Sequence, residues 1–359
     1  AVATAPTQVF DNANVGTTHV LTASGLTIKN GINVDVTGNY NITYVASPAT
    51  GTINKMNVSV TAVTDTKTYN GTTASAAVPT VGTLASGDVV NVAPTQVFDN
   101  ANVGTTHVLT VSGLTIKNGS NADVTSNYNI TYLASPATGI INKMNVSVTA
   151  VTDTKTYNAT TASTGSPIVG ALASGDIVNV APTQVFDNAN VGTTHVLTAS
   201  GLTIKNSSNV DVTGNYNITY LASPATGTIN KMNVSVTAVT DTKTYNGTTA
   251  SAGSPIVGTL ASGDIVNTAP TQVFDNANVG TTHVLTASGL TIKNGSNVDV
   301  TGNYNISYVA SPAAGIINKM NVSVTAVTDT KTYNANTASA GSPIVGTLAS
   351  GDIVNTAPT

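Results

Sequence analysis

Cysteine, tryptophan, arginine and glutamate are all missing from the 359 residues, so the 12 basic side chains are Lys and the 16 acidic ones Asp. Without Cys there is no disulfide framework, no thiolate chemistry and no Cys-based zinc site. Charged residues make up 8% and the net charge is −4, so the basic footprint of a nucleic-acid binder is missing. No apolar run approaches the roughly 20 residues that a membrane-crossing helix needs. The strong helix formers Glu and Arg are absent and Gln is rare, while Thr, Val, Ser, Asn and Gly dominate. That balance disfavours helix and suits pleated, half-buried surfaces.

What is present repeats. The four Phe stand at Phe10, Phe98, Phe186 and Phe274, and the four Met at Met56, Met144, Met232 and Met320, a period of 88. Segments 56–143 and 144–231 differ at 12 of 88 positions, with mild swaps such as Val89 for Ile177 and Val111 for Ala199. The period exceeds the roughly 20–50 residues of solenoid units and fits a small domain with its own core. A frame opening at each Met gives complete copies at 56–143, 144–231 and 232–319, a later part at 1–55 and an earlier part at 320–359. No Pro- or Gly-rich spacer separates the copies, so a rod rather than a hinged chain is expected. The two partial copies together nearly make one more, which suits either an excerpt of a longer array or a head-to-tail complementation device. No signal peptide is visible at Ala1, so a leader is expected to have been removed or the segment to be internal.

In the copy 56–143, alternation and turn residues predict strands over 57–63, 65–69, 89–98, 103–111, 113–117, 128–133 and 138–142. Asn70-Gly71, Ser86-Gly87-Asp88, Asp99-Asn100 and Asn118-Gly119 supply turns. Short strands at this spacing predict an all-β fold, a tandem array of Ig-like β-sandwich domains. Phe98 is expected to anchor each core, with Tyr128, Ile130 and Tyr132 on one inward face.

The runs Asp65-Thr-Lys-Thr-Tyr-Asn-Gly-Thr-Thr-Ala74, Gly82-Thr-Leu-Ala-Ser-Gly-Asp-Val89, Phe98-Asp-Asn-Ala-Asn-Val-Gly-Thr105, Val111-Ser-Gly-Leu114 and Asn127-Tyr-Asn-Ile-Thr131 carry a likeness. In order and spacing the chain resembles the YDG-type tandem repeat domain of haemagglutinin-like bacterial surface adhesins. The eponymous triplet reads Tyr69-Asn70-Gly71 and Tyr245-Asn246-Gly247, with Ala159 and Ala335 replacing Gly in the other two instances. That replacement predicts that no left-handed backbone is needed there, since Ala resists it. The resemblance implies an extracellular stalk or adhesin module at the cell surface, active in adhesion or biofilm and without enzymatic activity.

Candidate chemistry is sparse. His19, His107, His195 and His283 sit in a strand pattern with no second His or Cys in their copy, so an ordinary strand role outweighs metal binding. Asp65, Asp88, Asp99 and Asp123 are too scattered for a calcium loop and fit turn roles. Lys55, Lys67 and Lys117 read as surface or edge-strand residues rather than halves of an isopeptide crosslink. Asn-x-Ser/Thr sequons number 14, and Asn41, Asn57, Asn70, Asn129, Asn145 and Asn217 are candidate glycan acceptors. No catalytic, cofactor or metal residue is expected. Three roles are carried forward: a rigid stalk segment of a large surface adhesin; a filament subunit joined head to tail by strand complementation; and a multivalent carbohydrate- or ice-surface binder. The expected partners are neighbouring repeats or copies of itself, and a host or surface ligand held by parts outside this chain. Neither nucleic acid nor membrane insertion is expected.

Overall fold

A computed structural model describes residues 1–46, 50–134, 139–222, 227–310 and 314–359. Its described residues are all-β, joined by turns and four single 3₁₀ turns such as Thr125–Asn127. They group into two compact units, one of Ala1–Ser147, Gly170–Ala181 and Leu202–Thr219, the other of Val148–Val169, Pro182–Gly201 and Tyr220–Thr359. The copy 56–143 therefore lies whole in the first unit and 232–319 whole in the second, while the residues of 144–231 are divided between them. The tandem all-β architecture expected from composition and period is what the chain adopts.

The copy 56–143 shows how a threonine- and valine-rich sequence builds this unit. Strand Met56–Thr61 is central to a three-stranded sheet, parallel to Tyr128–Leu133 and antiparallel to Thr80–Val81. Strand Gly139–Asn142 is central to a second, parallel to Thr66–Thr68 and antiparallel to Gly104–His107. Two antiparallel ladders complete the copy, Thr95–Phe98 with Leu109–Ser112 and Val89–Val92 with Thr115–Lys117. Period-two alternation turns Val58 and Val60 inward with Phe98, Leu109, Ile116 and Ile141, all buried. One residue, Lys143, separates the last strand of this copy from Met144–Thr149 of the next.

Several expected boundaries move. The run 89–98 breaks at Ala93-Pro94, because Pro offers no N–H to a ladder. The run 103–111 breaks at Val108, whose carbonyl takes the Asp99 N–H at 3.0 Å while its side chain is exposed. Strand Thr80–Val81 was not expected. Residue 138, the expected start of the closing strand, lies outside the described residues. Phe98 is the core anchor anticipated, but the inward face of 128–133 narrows along its length: Tyr128 is buried, Ile130 half-buried, and Tyr132 40% exposed. The Tyr132 ring lies at the rim because its hydroxyl accepts the Leu114 N–H at 3.1 Å.

Packing around Phe98 is tight enough to fix the opposite residue as glycine. A Cβ on Gly139 would lie 2.7 Å from Phe98 Cε1, and the equivalents Gly227 and Gly315 meet Phe186 and Phe274 at the same distance. Gly139→Ala is therefore expected to cost about 1–3 kcal/mol by overpacking. A lowered midpoint in urea unfolding checks this, and an unchanged midpoint would contradict it.

Candidate functional site

The side chains that carry chemistry cluster where one copy meets the next within each unit. In the second unit, Tyr157 of the copy 144–231 donates its hydroxyl to Asp264 Oδ2 of the following copy at 2.9 Å. Tyr304, from the same copy as Asp264, donates to the same oxygen at 2.7 Å and accepts the Ala261 N–H at 3.0 Å. The two rings meet edge to face, centroids 5.4 Å apart. In the first unit Tyr69, Asp176 and Tyr216 reproduce this at 2.9, 2.7 and 5.4 Å. Tyr245 also reaches forward, to Asp352 at 3.0 Å. At Asp264 and Asp176 each phenol–carboxylate bond is worth about 1.5–3 kcal/mol and each ring pair about 0.5–1.5 kcal/mol.

A second contact works beside the first. Asn215 Oδ1 accepts the Val103 N–H at 2.9 Å, and its Nδ2 donates to Asn102 Oδ1 at 3.1 Å. Asn127 does the same for Val15 and Asn14, and Asn303 for Val191 and Asn190.

The forward-reaching tyrosine is aimed by the turn that follows it. Lys67 Nζ donates to the carbonyls of Thr72 and Ala74 at 2.5 and 2.9 Å and to Asn70 Oδ1 at 3.2 Å. It also lies 4.9 Å from the Phe98 ring centroid. Burial lowers its pKa, so Lys67 is a half-buried clamp rather than the surface residue expected. The turn needs a left-handed residue: Gly71 and Gly247 both have φ 77°. Ala159 and Ala335 take the same region at φ 62° and 60°, overturning the expectation drawn from the Gly-to-Ala replacement. At Ala159 the Lys155 clamp and the seated Tyr157 outweigh a penalty of roughly 1–2 kcal/mol for Ala there.

Within a copy, polar side chains pin the backbone. His107 is buried, its Nδ1 2.6 Å from Asp99 Oδ1 and its ring edge to face with Phe98 at 5.7 Å. His19, His195 and His283 repeat the bond to Asp11, Asp187 and Asp275. The His hydrogen bond holds Asp99 below the usual carboxylate range. Asp65 accepts from the Ser75 hydroxyl at 2.6 Å, and Asp123 from the Thr125 N–H at 2.8 Å. Gln96, which sequence reasoning passed over, is buried, holding both backbone groups of Val63 and the Ser75 hydroxyl. Its only sequence signal is an amide at an inward position of an alternating strand. Among the described residues, no group of three or more His, Asp or Glu side chains could hold a metal ion. No helix among them is long and apolar enough to cross a membrane.

The candidate glycan acceptors are all exposed. Asn129 Nδ2 donates to Asn57 Oδ1 at 3.0 Å across parallel strands, and Asn217 to Asn145 likewise. Asn70 serves the Lys67 turn through its Oδ1, and Asn41 sits in irregular chain.

The YDG domain model matches three times in tandem, at residues 53–138, 142–226 and 229–313. The chain belongs to the YDG domain family. Its repeat architecture is that of a structural repeat protein. No curated protein matches the sequence. Among solved structures, the I9–I11 tandem from titin is similar at 10% identity over 75% of this chain and 98% of that one, TM-score 0.20. The N-terminal four Ig domains of Dscam1 isoform 4.4 follow at 9% identity, 84% and 81% coverage, TM-score 0.18. Domains 4–9 of the surface layer protein SbsC match at 12% identity over 91% of this chain and 49% of that chain, TM-score 0.12.

Two outcomes follow. Ala159→Gly is expected to stabilise by about 0.5–1 kcal/mol, the relief of left-handed Ala less the entropy cost of Gly; a lowered Tm would contradict this. Burial, then the Asp264 carboxylate, pushes the Tyr157 hydroxyl up to about 12, and burial and neighbouring Asp raise Tyr69, Tyr128, Tyr216 and Tyr304 as well. A folded pKa above the unfolded value near 10 gives stability that is complete below about pH 10 and lost as pH rises through the folded values. Tyrosinate absorbance for these groups should therefore rise together with loss of the β circular dichroism signal, above pH 10. Their complete ionisation by pH 10 with the fold intact would contradict it.

Proposed function

We propose that the chain is a non-enzymatic, extracellular structural segment, part of the stalk of a large repetitive bacterial surface adhesin. Its partners are neighbouring copies, and any receptor is engaged by parts outside these residues. The observation that carries this reading is the Tyr–Asp–Tyr contact, through which each forward-reaching tyrosine is spent on holding the next copy. The remaining acids favour the same role: in the copy 56–143 all four Asp hold a tyrosine, a histidine or a turn. Membership of the YDG family suits a surface location.

Pulling the chain end to end in single-molecule force spectroscopy tests the role. Discrete rupture peaks are expected, each releasing about 300 Å for a copy stretched at roughly 3.3–3.6 Å per residue, with lower peak forces in Tyr157→Phe. Featureless extension at low force would contradict a load-bearing stalk.

A further inference from the structure

The turn behind the forward-reaching tyrosine holds an unusually polarised side-chain amide. Asn70 Oδ1 accepts from Lys67 Nζ at 3.2 Å, from the Thr72 N–H at 3.1 Å and from the Thr72 hydroxyl at 3.0 Å. The backbone bond alone would close such a turn. The added cation and hydroxyl draw electrons from the carboxamide carbon, and they stand where negative charge gathers when that carbon is attacked. Asn246 Oδ1 is held in the same way, by Lys243 at 3.1 Å and by the Thr248 N–H and hydroxyl at 3.2 and 3.0 Å.

An attacking atom stands next in the chain. The residue after Asn70 is Gly71, so no β-carbon crowds its backbone nitrogen. Among the described residues that N–H donates to no acceptor, and Asn70, Gly71 and Thr72 are all exposed to water. Lys67 is a donor here rather than the attacker. Its N–H groups are taken up by Asn70 Oδ1 and the carbonyls of Thr72 and Ala74, and an ammonium has no lone pair.

We propose that Asn70-Gly71 and Asn246-Gly247 are self-modification sites, at which the chain converts its own asparagine to aspartate and isoaspartate. Water takes the Gly71 N–H proton, the nitrogen bonds to Asn70 Cγ, and Lys67 and Thr72 hold the charge that builds on Oδ1. The Cγ–Nδ2 bond then breaks, and the nitrogen takes a proton from water and leaves as ammonia. A cyclic imide remains, and water opens it at either carbonyl. In sum, asparagine and water give aspartate or isoaspartate and ammonia. The isoaspartate product has an extra main-chain carbon in the turn that aims Tyr69 at Asp176. The reaction does not depend on the stalk reading, since it is read as a change of mass at one residue and not as a force.

The chain carries its own controls. Asn118-Gly119 is the same dipeptide, but its Oδ1 accepts the backbone N–H groups of Ser120 and Ala122, both at 3.0 Å, and no side chain among the described residues. Asn158 Oδ1 has the full set of donors, Lys155 at 3.1 Å and Thr160 at 3.2 and 3.0 Å, but the next residue is Ala159, whose β-carbon hinders ring closure.

The whole chain is incubated near neutral pH, folded and in urea, and peptide mapping by mass spectrometry follows aspartate and isoaspartate at each position. In the folded chain Asn70 and Asn246 should react faster than Asn118 and Asn158, and faster than they do themselves in urea. In urea Asn70 and Asn118 should react alike. Thr72→Val removes the hydroxyl donor and should slow Asn70 by roughly three- to tenfold, the worth of one neutral hydrogen bond, with Asn246 and the circular dichroism signal unchanged. Gly71→Ala, a residue the fold already accepts at Ala159, should bring Asn70 down to the rate of Asn158. Asn70 no faster than Asn118 in the folded chain, a faster reaction in urea than in the folded state, or a rate indifferent to Thr72→Val would each overturn the proposal.

Discussion

A single carboxylate oxygen that accepts two phenols, one from each of two successive copies, is the interaction on which the rest depends. At Asp264 the arrangement is buried, and it requires both tyrosines to stay protonated and the carboxylate oxygen to accept from both. Burial and the neighbouring carboxylate enforce the first condition by raising the phenol pKa values. The cost is visible too: Asp264 Oδ1 is buried with no hydrogen-bond partner among the described residues. A well-made bond from each side is what makes such a buried carboxyl group tolerable. The turn that aims Tyr157, its Lys155 clamp and the left-handed Ala159 all serve to deliver one hydroxyl to that oxygen.

The reliance on polar contacts follows from composition. A copy has one Phe, no Trp and no long run of large apolar residues, so its core is narrow and Gly139 must stand aside for the Phe98 ring. Gln96 and His107 take inward positions that a richer sequence would fill with Leu or Ile, and their hydrogen bonds tie the core to the loops. Satisfied buried networks of this kind specify one arrangement of the chain. They also use up the groups that would otherwise be free for chemistry, and so bind structure and proposed role together.

Much of the fold was legible in the residues. The alternation in Asn57-Val-Ser-Val-Thr-Ala-Val63 marks a strand with Val58 and Val60 inward, and the lone Phe marks the core. The contact between copies was not legible, for a reason peculiar to repeats. Tyr69 pairs with Asp176, 107 positions away, but Asp88 offers an identical sequence context 19 positions away, and a periodic chain does not distinguish the two. Ala159 misled because a β-carbon argues against a left-handed turn unless tertiary bonds outweigh it, and those bonds lie outside the local sequence. Tyr132 misled because alternation gives the facing of a side chain but not where the sheet runs out of cover.

Because the same few residues recur at each junction, the structural role stands or falls with the energy of one contact. A double-mutant cycle on Tyr157→Phe and Asp264→Asn, read by urea unfolding of the whole chain, measures it most directly. The account predicts a coupling energy of about 1–3 kcal/mol between the two positions. Additive effects, within roughly 0.5 kcal/mol, would show that the tyrosine and the aspartate do not hold successive copies together and would contradict it.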